Sequence, residues 1–330
     1  MNKVTYMIKR IAGMNYGNFF KTIDKVCKIT GKNKVSTFFD CVTCGLAYGA
    51  GYVDYYQFHM YDMNRAERKT IITRGVNNSI IKKYNDKASV YKFEDKCVFN
   101  ELFADYMNRD WMKLNENNFE EFSKMLDKHS QIVVKPVDSF CGKGVEKLDV
   151  TNEDRKALFD RLLANKQLLV EEVAIQHEVI ANIYPLSINT IRVVTLNHHV
   201  VAAFLRIGND GNVVDNFNHG GMVTVVDIND GIVKYKAIDK ATREFDVHPY
   251  TNAPIVGVKI PMWDEIVAMC EAATQIIPEV LYVGWDVCVG KEKPFLIEGN
   301  DFPGHDVYQL PVHRSDNYGL LPTFKKAMES

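Results

Sequence analysis

No apolar run in this 330-residue chain approaches the roughly 20 residues that a membrane-spanning helix requires. The opening stretch, MNKVTYMIKRIAGMNYGNFFK, also lacks the continuous apolar centre of a secretion signal, so a cytoplasmic location is expected. Lys3, Lys9, Arg10 and Lys21 among aromatics leave surface association of that start as the minor option. Neither sign of charge dominates: the formal net charge of −2 gives no reason to expect nucleic acid or an acidic membrane as partner. The seven cysteines are odd in number and irregularly spaced, which speaks for reduced thiols rather than a disulfide framework. Cys41-Val-Thr-Cys44 has no second such pair, and a closed zinc site needs two more ligands. Repeats, low-complexity tracts, a Walker A loop, a GxSxG elbow, an HExxH helix and a Rossmann fingerprint are all missing.

What remains has the composition of a globular enzyme, 46% hydrophobic and 25% charged, long enough for two or three lobes. Residues 1 to about 35 read as helical and basic, with Ile8, Ile11, Phe19, Ile23 and Val26 on one face. Residues 36–62 suggest a helix, a glycine break and an extended packing segment. Residues 84–130 carry a helical pattern broken at Asn108 and at Asn115 to Asn118. From Gln131 the pattern turns to strands: IVVKP, LLVEEV, IRVVTLN, VVAAFLRIG, MVTVVDI and IVKYKAI, with a helix from Glu153 to Asn165 and another from Met262 to about Ile277. The C-terminal half is thereby an antiparallel-rich α+β unit.

Two clusters carry chemistry. In GWDVCVGKEKPFLIEGNDFPG, the polar turn Gly290 to Lys293 separates two apolar runs, which predicts a hairpin. Alternation sets Asp286 on one strand near Glu298 and Asn300 on the next, and such oxygen donors suit Mg²⁺ shared with nucleotide phosphates. The bland alternative is a hairpin with solvated acids. Upstream, Lys135 ends a strand and precedes Asp138-Ser139-Phe140-Cys141-Gly142-Lys143-Gly144, a loop whose small residues let backbone N–H groups approach phosphate oxygens. The run ending Glu171-Glu172-Val173 could pass an adenine and present a carboxylate to ribose hydroxyls; the alternative is a strand end at the surface.

The order of Lys92/Lys96, Val134-Lys135-Pro136, Gly142-Lys143-Gly144, Val170-Glu171-Glu172, Asn189-Thr190-Ile191-Arg192-Val193, Gly284-Trp285-Asp286 and Glu298-Gly299-Asn300 resembles the ATP-grasp superfamily. QHEVIANIYPLSINTIRVVT, LRIGNDGNVVDNFNHGG and IPMWDE, with GWDV and LIEGNDFPG, are similar to its sugar-transfer-associated subgroup. The resemblance covers roughly residues 40–310. It implies an α+β ATP-grasp fold, two subdomains gripping ATP, after an N-terminal helical and aromatic region. The implied division is 1–83, then 84–173 as lid with the phosphate loop, then 174–330 with the Mg²⁺ and acceptor site. It assigns Lys96, Lys135, Ser139 and Gly142 to Gly144 to ATP phosphates, Glu171, Glu172, Val173 and His177 to the adenine and ribose edge, and Asp286, Glu298 and Asn300 to Mg²⁺.

The resemblance also implies the reaction. In ligases of this superfamily a carboxylate attacks the γ-phosphate and an amine displaces phosphate from the acyl phosphate, which needs positioning and charge neutralisation. Arg192 and Arg206, on adjacent predicted strands, fit the phosphate and the carboxylate. Asn189, Asn216, Gly220 and Gly221 would line the acceptor pocket, with His219 and His305 facing it or serving structure. Three outcomes stay open: a carboxylate–amine ligase acting on a sugar acid, amino acid or sugar-linked amine, a kinase that stops at a phosphorylated hydroxyl, or a nucleotide-binding partner of polysaccharide machinery. The expected partners are a small carboxylate and an amine. The aromatic N-terminal 60 residues would form a homodimer interface or support the lid.

Overall fold

A computed structural model describes residues 13–138, 144–211, 215, 217 and 220–330. The chain divides into two compact units, one of residues 1–80 and 309–322, the other of residues 81–308 and 323–330.

The first unit is helical. α1 (Tyr16–Thr30) starts where the Asn15 side chain accepts from Asn18 N at 2.9 Å, and ends at Gly31 in the left-handed region (φ 69°). α2 (Lys34–Tyr48) repeats the device with Asn33 and Gly49. Both ends follow from local chemistry: a short polar side chain takes up orphan N–H groups at the start, and glycine reverses the chain without a Cβ clash at the stop. Phe19, Ile23 and Val26 form the buried face of α1 as their spacing predicts; Ile8 and Ile11 lie outside the described residues. The segment after the glycine break is not extended. It forms α3 (Tyr52–Gln57), because the Asp54 carboxylate accepts from Gly51 N (2.7 Å) and Arg74 N (3.0 Å). Arg68 grips Asp40 with both terminal nitrogens at 2.7 Å, and Tyr55 donates its hydroxyl to the same carboxylate. Gln309 bonds both backbone groups of Ile72 and so ties in residues 309–322.

The second unit contains two sheets. The smaller, in the order β1 (Trp111–Lys113), β4 (Leu169–Glu172), β2 (Gln131–Lys135), β3 (Glu146–Asp149), is antiparallel throughout. Helices Phe119–Lys128 and Arg155–Ala164 cover it through Phe122, Leu126, Leu158, Phe159 and Leu162 against Ile132, Val134 and Val170. β1 lies inside a stretch whose pattern reads as helical; three residues are too few to show a period of two.

The larger sheet runs β11 (Pro294–Asn300), β10 (Tyr282–Val289), β5 (Ile191–Leu196), β6 (His199–Ile207), β7 (Met222–Val225), β8 (Ala237–Ile238), β9 (Glu244–Phe245). Of the expected strand IVKYKAI only Ala237–Ile238 joins the ladder. The Tyr235 carbonyl accepts from the Thr224 hydroxyl, and Lys234 turns out to Asp227 and Asp230. All eight residues of β10 are buried, an aspartate among them. Helix Trp263–Ala273 packs on one side through Ile266, Cys270 and Ala273, and Trp285 meets Phe93 and Phe103 at ring separations of 5.9 and 5.4 Å.

Trp285 has no exposed surface and donates its indole N–H to Thr195 Oγ1 at 2.8 Å. Replacing it with alanine should destabilise the second unit by about 3–5 kcal/mol, read as a fall in the denaturant midpoint of that unit. An unchanged midpoint would show that the aromatic cluster is not what holds residues 93–103 to the sheet.

Candidate active site

Register builds the centre of the site. On the antiparallel ladder Asp286 stands opposite Glu298 on β11 and opposite Arg192 on β5, while Gly284 faces Asn300. Side chains directly opposite share a face, so Glu298, Asp286 and Arg192 form one row, with Asn300 a step along. The pairing slips just after Asp286, where a bulge ends the regular ladder. Arg206 reaches the same row from β6, whose backbone N–H bonds Thr190 O at 2.8 Å.

Asp286 is the hub. Its Oδ1 accepts from Arg192 Nε, and its Oδ2 accepts from Arg192 Nη2 at 2.9 Å and Arg206 Nη1 at 2.7 Å. Arg206 is held on its other side by Asp215, 3.1 Å from Nη2, and Asp215 in turn accepts from the Thr190 N–H (2.9 Å) and hydroxyl. Burial opposes ionisation of Asp286, but the guanidinium groups of Arg192 and Arg206 outweigh it and hold the carboxyl well below its usual range. Glu298 goes the other way. Burial and the adjacent Asp286 charge push its carboxyl up, against the pull of Lys96, Arg192 and Arg206. The opposite shifts leave Asp286 the more readily ionised of these two neighbouring carboxyls.

A second charged cluster lies on the smaller sheet. Glu171 is 2% exposed; it accepts from Arg109 Nη2 at 2.7 Å and Asn100 Nδ2 at 3.2 Å, and pairs with Lys135. Burial opposes its ionisation, yet Arg109 and Lys135 bring its carboxyl down to about 2. Arg109 also donates to the carbonyls of Leu296 (2.6 Å) and Ile297 (3.2 Å) on β11, which links the two sheets. Lys96 begins the helix Lys96–Leu102, which Asp95 caps, and its N–H bonds Val137 O at 3.2 Å. Burial lowers its ammonium, while the charges of Glu298 and Glu171 favour it and Lys135 disfavours it. Lys96 thus stands within electrostatic reach of both clusters.

Of the expected residues, the structure brings Lys96, Lys135, Arg192, Arg206, Asp286 and Glu298 together, with Asn300 on the same face. Others take different positions. Glu171 is not a strand-end carboxylate turned to ribose: its charge is buried against Arg109 and Lys135. Glu172, next along β4, accepts from Asp110 N at 3.0 Å and lies 3.9 Å from His129. Asn189 is no acceptor ligand. Its amide donates to the carbonyls of Ile180 and Tyr184 and its oxygen accepts from Gly208 N and Ser187 Oγ, which uses all four of its hydrogen-bonding capacities. His177 caps helix Glu178–Ala181 by accepting from Val179 N through Nδ1 at 3.2 Å. Val173 is half-buried just beyond β4; His305 is 6% exposed. Gly144 and Gly220 have positive φ (74° and 93°), and Gly221 is buried directly before β7. Ser139, Gly142, Lys143, Asn216 and His219 lie outside the described residues.

Arg109 and Asp215 escape sequence reasoning. Arg109 sits in a polar break beside Asn108 that reads as a solvated turn, and only the paired sheets reveal it as their link. Asp215 stands next to Asn216 in GNVVDNFNHGG, where a second acid carries no signal until Arg206 is seen beside it.

The donor set fits a hard divalent cation: two carboxylates and an amide oxygen on one face. Both oxygens of Asp286 already accept from arginines, and Asn300 Oδ1 accepts from Phe302 N at 2.9 Å.

Against this geometry, a family model described as sugar-transfer associated ATP-grasp matches residues 75–323. Among solved structures, the chain is similar to the ATP-grasp ligase PsnB complexed with a minimal precursor, at 14% identity and a TM-score of 0.44, covering 80% of this chain and 70% of that one. It is also similar to a D-alanine–D-alanine ligase from Bacillus anthracis (13% identity, TM-score 0.43, 77% and 74% covered) and to the D-cycloserine synthetase DcsG (13%, 0.44, 74% and 72%). No curated protein matches the chain.

Glu171→Gln removes the counter-charge of two buried cations, and breaking such a pair costs about 3–5 kcal/mol. The Glu171 carboxyl lies below its ordinary value of 4.5, so its stabilisation is complete above that pH and is lost as pH falls toward about 2. The gap in melting temperature between wild type and variant should therefore be widest near neutrality and narrow below pH 4.5. A gap that stays constant with pH would remove the carboxylate as its source.

Proposed function

The chain belongs to the sugar-transfer-associated ATP-grasp family, and from that premise we propose that it is an ATP- and Mg²⁺-dependent carboxylate–amine ligase. The observation that carries this is the convergence of Arg192 and Arg206 on one buried carboxylate beside Glu298. A site that must neutralise a transferring phosphoryl group and an incoming carboxylate needs two fixed guanidinium forks, and a simple nucleotide-binding surface does not. Residues 84–173 would act as the lid and residues 174–330 would hold the cation and the acceptor.

Lys96 and Lys135 are assigned to ATP phosphates, as compact charges that neutralise without demanding a fixed plane. Glu171 and Arg109 set Lys135 in place from behind. Glu298, Asn300 and Asp286 would hold Mg²⁺, which supplies charge neutralisation at the phosphates when bound. In the reaction the acid's oxygen bonds to the γ-phosphorus as ADP leaves. The amine nitrogen then attacks the carbonyl carbon, phosphate departs with the bridging oxygen, and the nitrogen loses a proton. Arg206, fixed between Asp215 and Asp286, presents an oriented fork to the charge that develops on the acyl group, and Arg192 does the same from β5. The proposed substrate class is a sugar acid, an amino acid or a sugar-linked amine, in the cytoplasm and toward surface polysaccharide; the description of the family as sugar-transfer associated supports the sugar.

Paired release of ADP and phosphate from Mg-ATP, with pooled acids and with or without an amine pool, tests the reaction. Equal release that depends on both pools is the expected result. ADP without phosphate would replace the ligase with a kinase. Glu298→Ala should abolish turnover, and wild-type rates in it would remove the cation assignment. Arg206→Lys keeps a cation against Asp215 and Asp286 but loses the fork; it should slow turnover roughly a hundredfold, the equivalent of about 3 kcal/mol, with ATP affinity changed only a few-fold. Lost ATP affinity instead would move Arg206 to the nucleotide phosphates.

A further inference from the structure

The small net charge hides an uneven distribution. In the first unit Lys and Arg outnumber Asp and Glu by 13 to 6, whereas in the second the acids lead by 36 to 27. The basic unit also turns apolar side chains outward. On α2, Val35 and Phe39 are 63% and 62% exposed and Leu46 is 50% exposed. With half-buried Val42 they stand at i, i+4, i+7 and i+11, one stripe on the side away from the buried Thr37, Cys41 and Cys44. That stripe contains no charge; the helix holds only Lys34 and Asp40.

Phe38 carries the stripe over to α1. It meets Phe39 edge-on at 5.4 Å and stacks on Phe20, which is 46% exposed, at 6.3 Å. Beside Phe20 the outward face of α1 presents Lys21, Lys25 and Lys28, all exposed and opposite the buried Phe19, Ile23 and Val26. None of the three forms an ion pair among the described residues; Asp24, the acid of that helix, is paired with Lys34. An uncharged aromatic and aliphatic ridge therefore lies alongside a row of unneutralised lysines.

We propose that this α1–α2 face binds the surface of a bilayer containing anionic phospholipid. Apolar side chains at the acyl boundary with lysines at the headgroup phosphates match the two components of interfacial binding. A second copy is a poorer occupant. In a two-fold interface the same patch meets itself, which would bring Lys21, Lys25 and Lys28 against their own counterparts. The attraction is long-ranged only at low salt, because the Debye length falls from about 10 Å at 0.1 M to about 3 Å at 1 M.

Flotation of the full chain with phosphatidylcholine vesicles, with and without phosphatidylglycerol, tests this, with light scattering on the same samples. Binding is expected to the anionic vesicles only, and to weaken with salt. Lys21→Gln, Lys25→Gln and Lys28→Gln should each cost about fivefold in affinity. The double change Phe39→Ser and Leu46→Ser should cost more than tenfold without lowering the melting temperature, since both side chains are exposed. Absence of binding, equal binding to neutral vesicles, or wild-type binding by these variants would overturn the proposal. A dimer that Phe39→Ser and Leu46→Ser dissociate, with no vesicle binding, would assign the face to a second copy and overturn it as well.

Discussion

Placing Asp286 in the middle of a fully buried strand is the constraint on which the larger sheet depends. A lone carboxylate there would be untenable, because its desolvation penalty exceeds any packing gain. Two guanidinium groups from the next two strands remove the problem, and doing so dictates much else. Arg192 must lie opposite Asp286 in register, Arg206 must come from β6 on the same face, and the spare side of Arg206 needs Asp215 and Thr190. A slip of one residue between β5 and β10 would turn Arg192 into the opposite layer and strand the charge. Charge pairing and strand register are thus the same specification written twice.

The smaller sheet applies the same logic with the signs arranged differently. Glu171 is a single buried anion between two cations, and one of those cations, Arg109, also bonds carbonyls of β11. Lys135 is consequently oriented by a carboxylate whose other partner, Arg109, is bonded to the strand bearing Glu298. The two halves of the site are joined through backbone and ion pairs, so positions that are distant in sequence are set by short, directional contacts.

Much of this is readable from the chain because the informative elements are locally determined. The hairpin of β10 and β11 declares itself through a polar turn between apolar runs, and alternation places Asp286, Glu298 and Asn300 on one face without any tertiary knowledge. The pattern reads as one helix to about residue 35, whereas Gly31 ends α1 at Thr30 and Asn33 starts α2 at Lys34. What escaped has the opposite character. β1 is too short for its period to show. Residues 52–57 became a helix because Asp54 caps it and also binds Arg74, a contact across 20 residues. The resemblance sets Asn189 among the acceptor ligands, but its four internal bonds depend on where residues 180, 184, 187 and 208 arrive. Arg109 and Asp215 draw their roles wholly from partners that sequence spacing does not reveal.

The balance of charge at the site bears on how it meets its ligands. Two guanidinium groups and the Lys96 ammonium converge where one carboxylate, Asp286, is firmly ionised. Burial raises the carboxyls of both other acids, Asp215 and Glu298, against the pull of the arginines. Cations thus gather on the arginine side of the centre and carboxyls on the hairpin side. Under the proposed function, an anion would meet the arginine side and a cation the carboxyl side, so nucleotide and metal would be best bound as one unit.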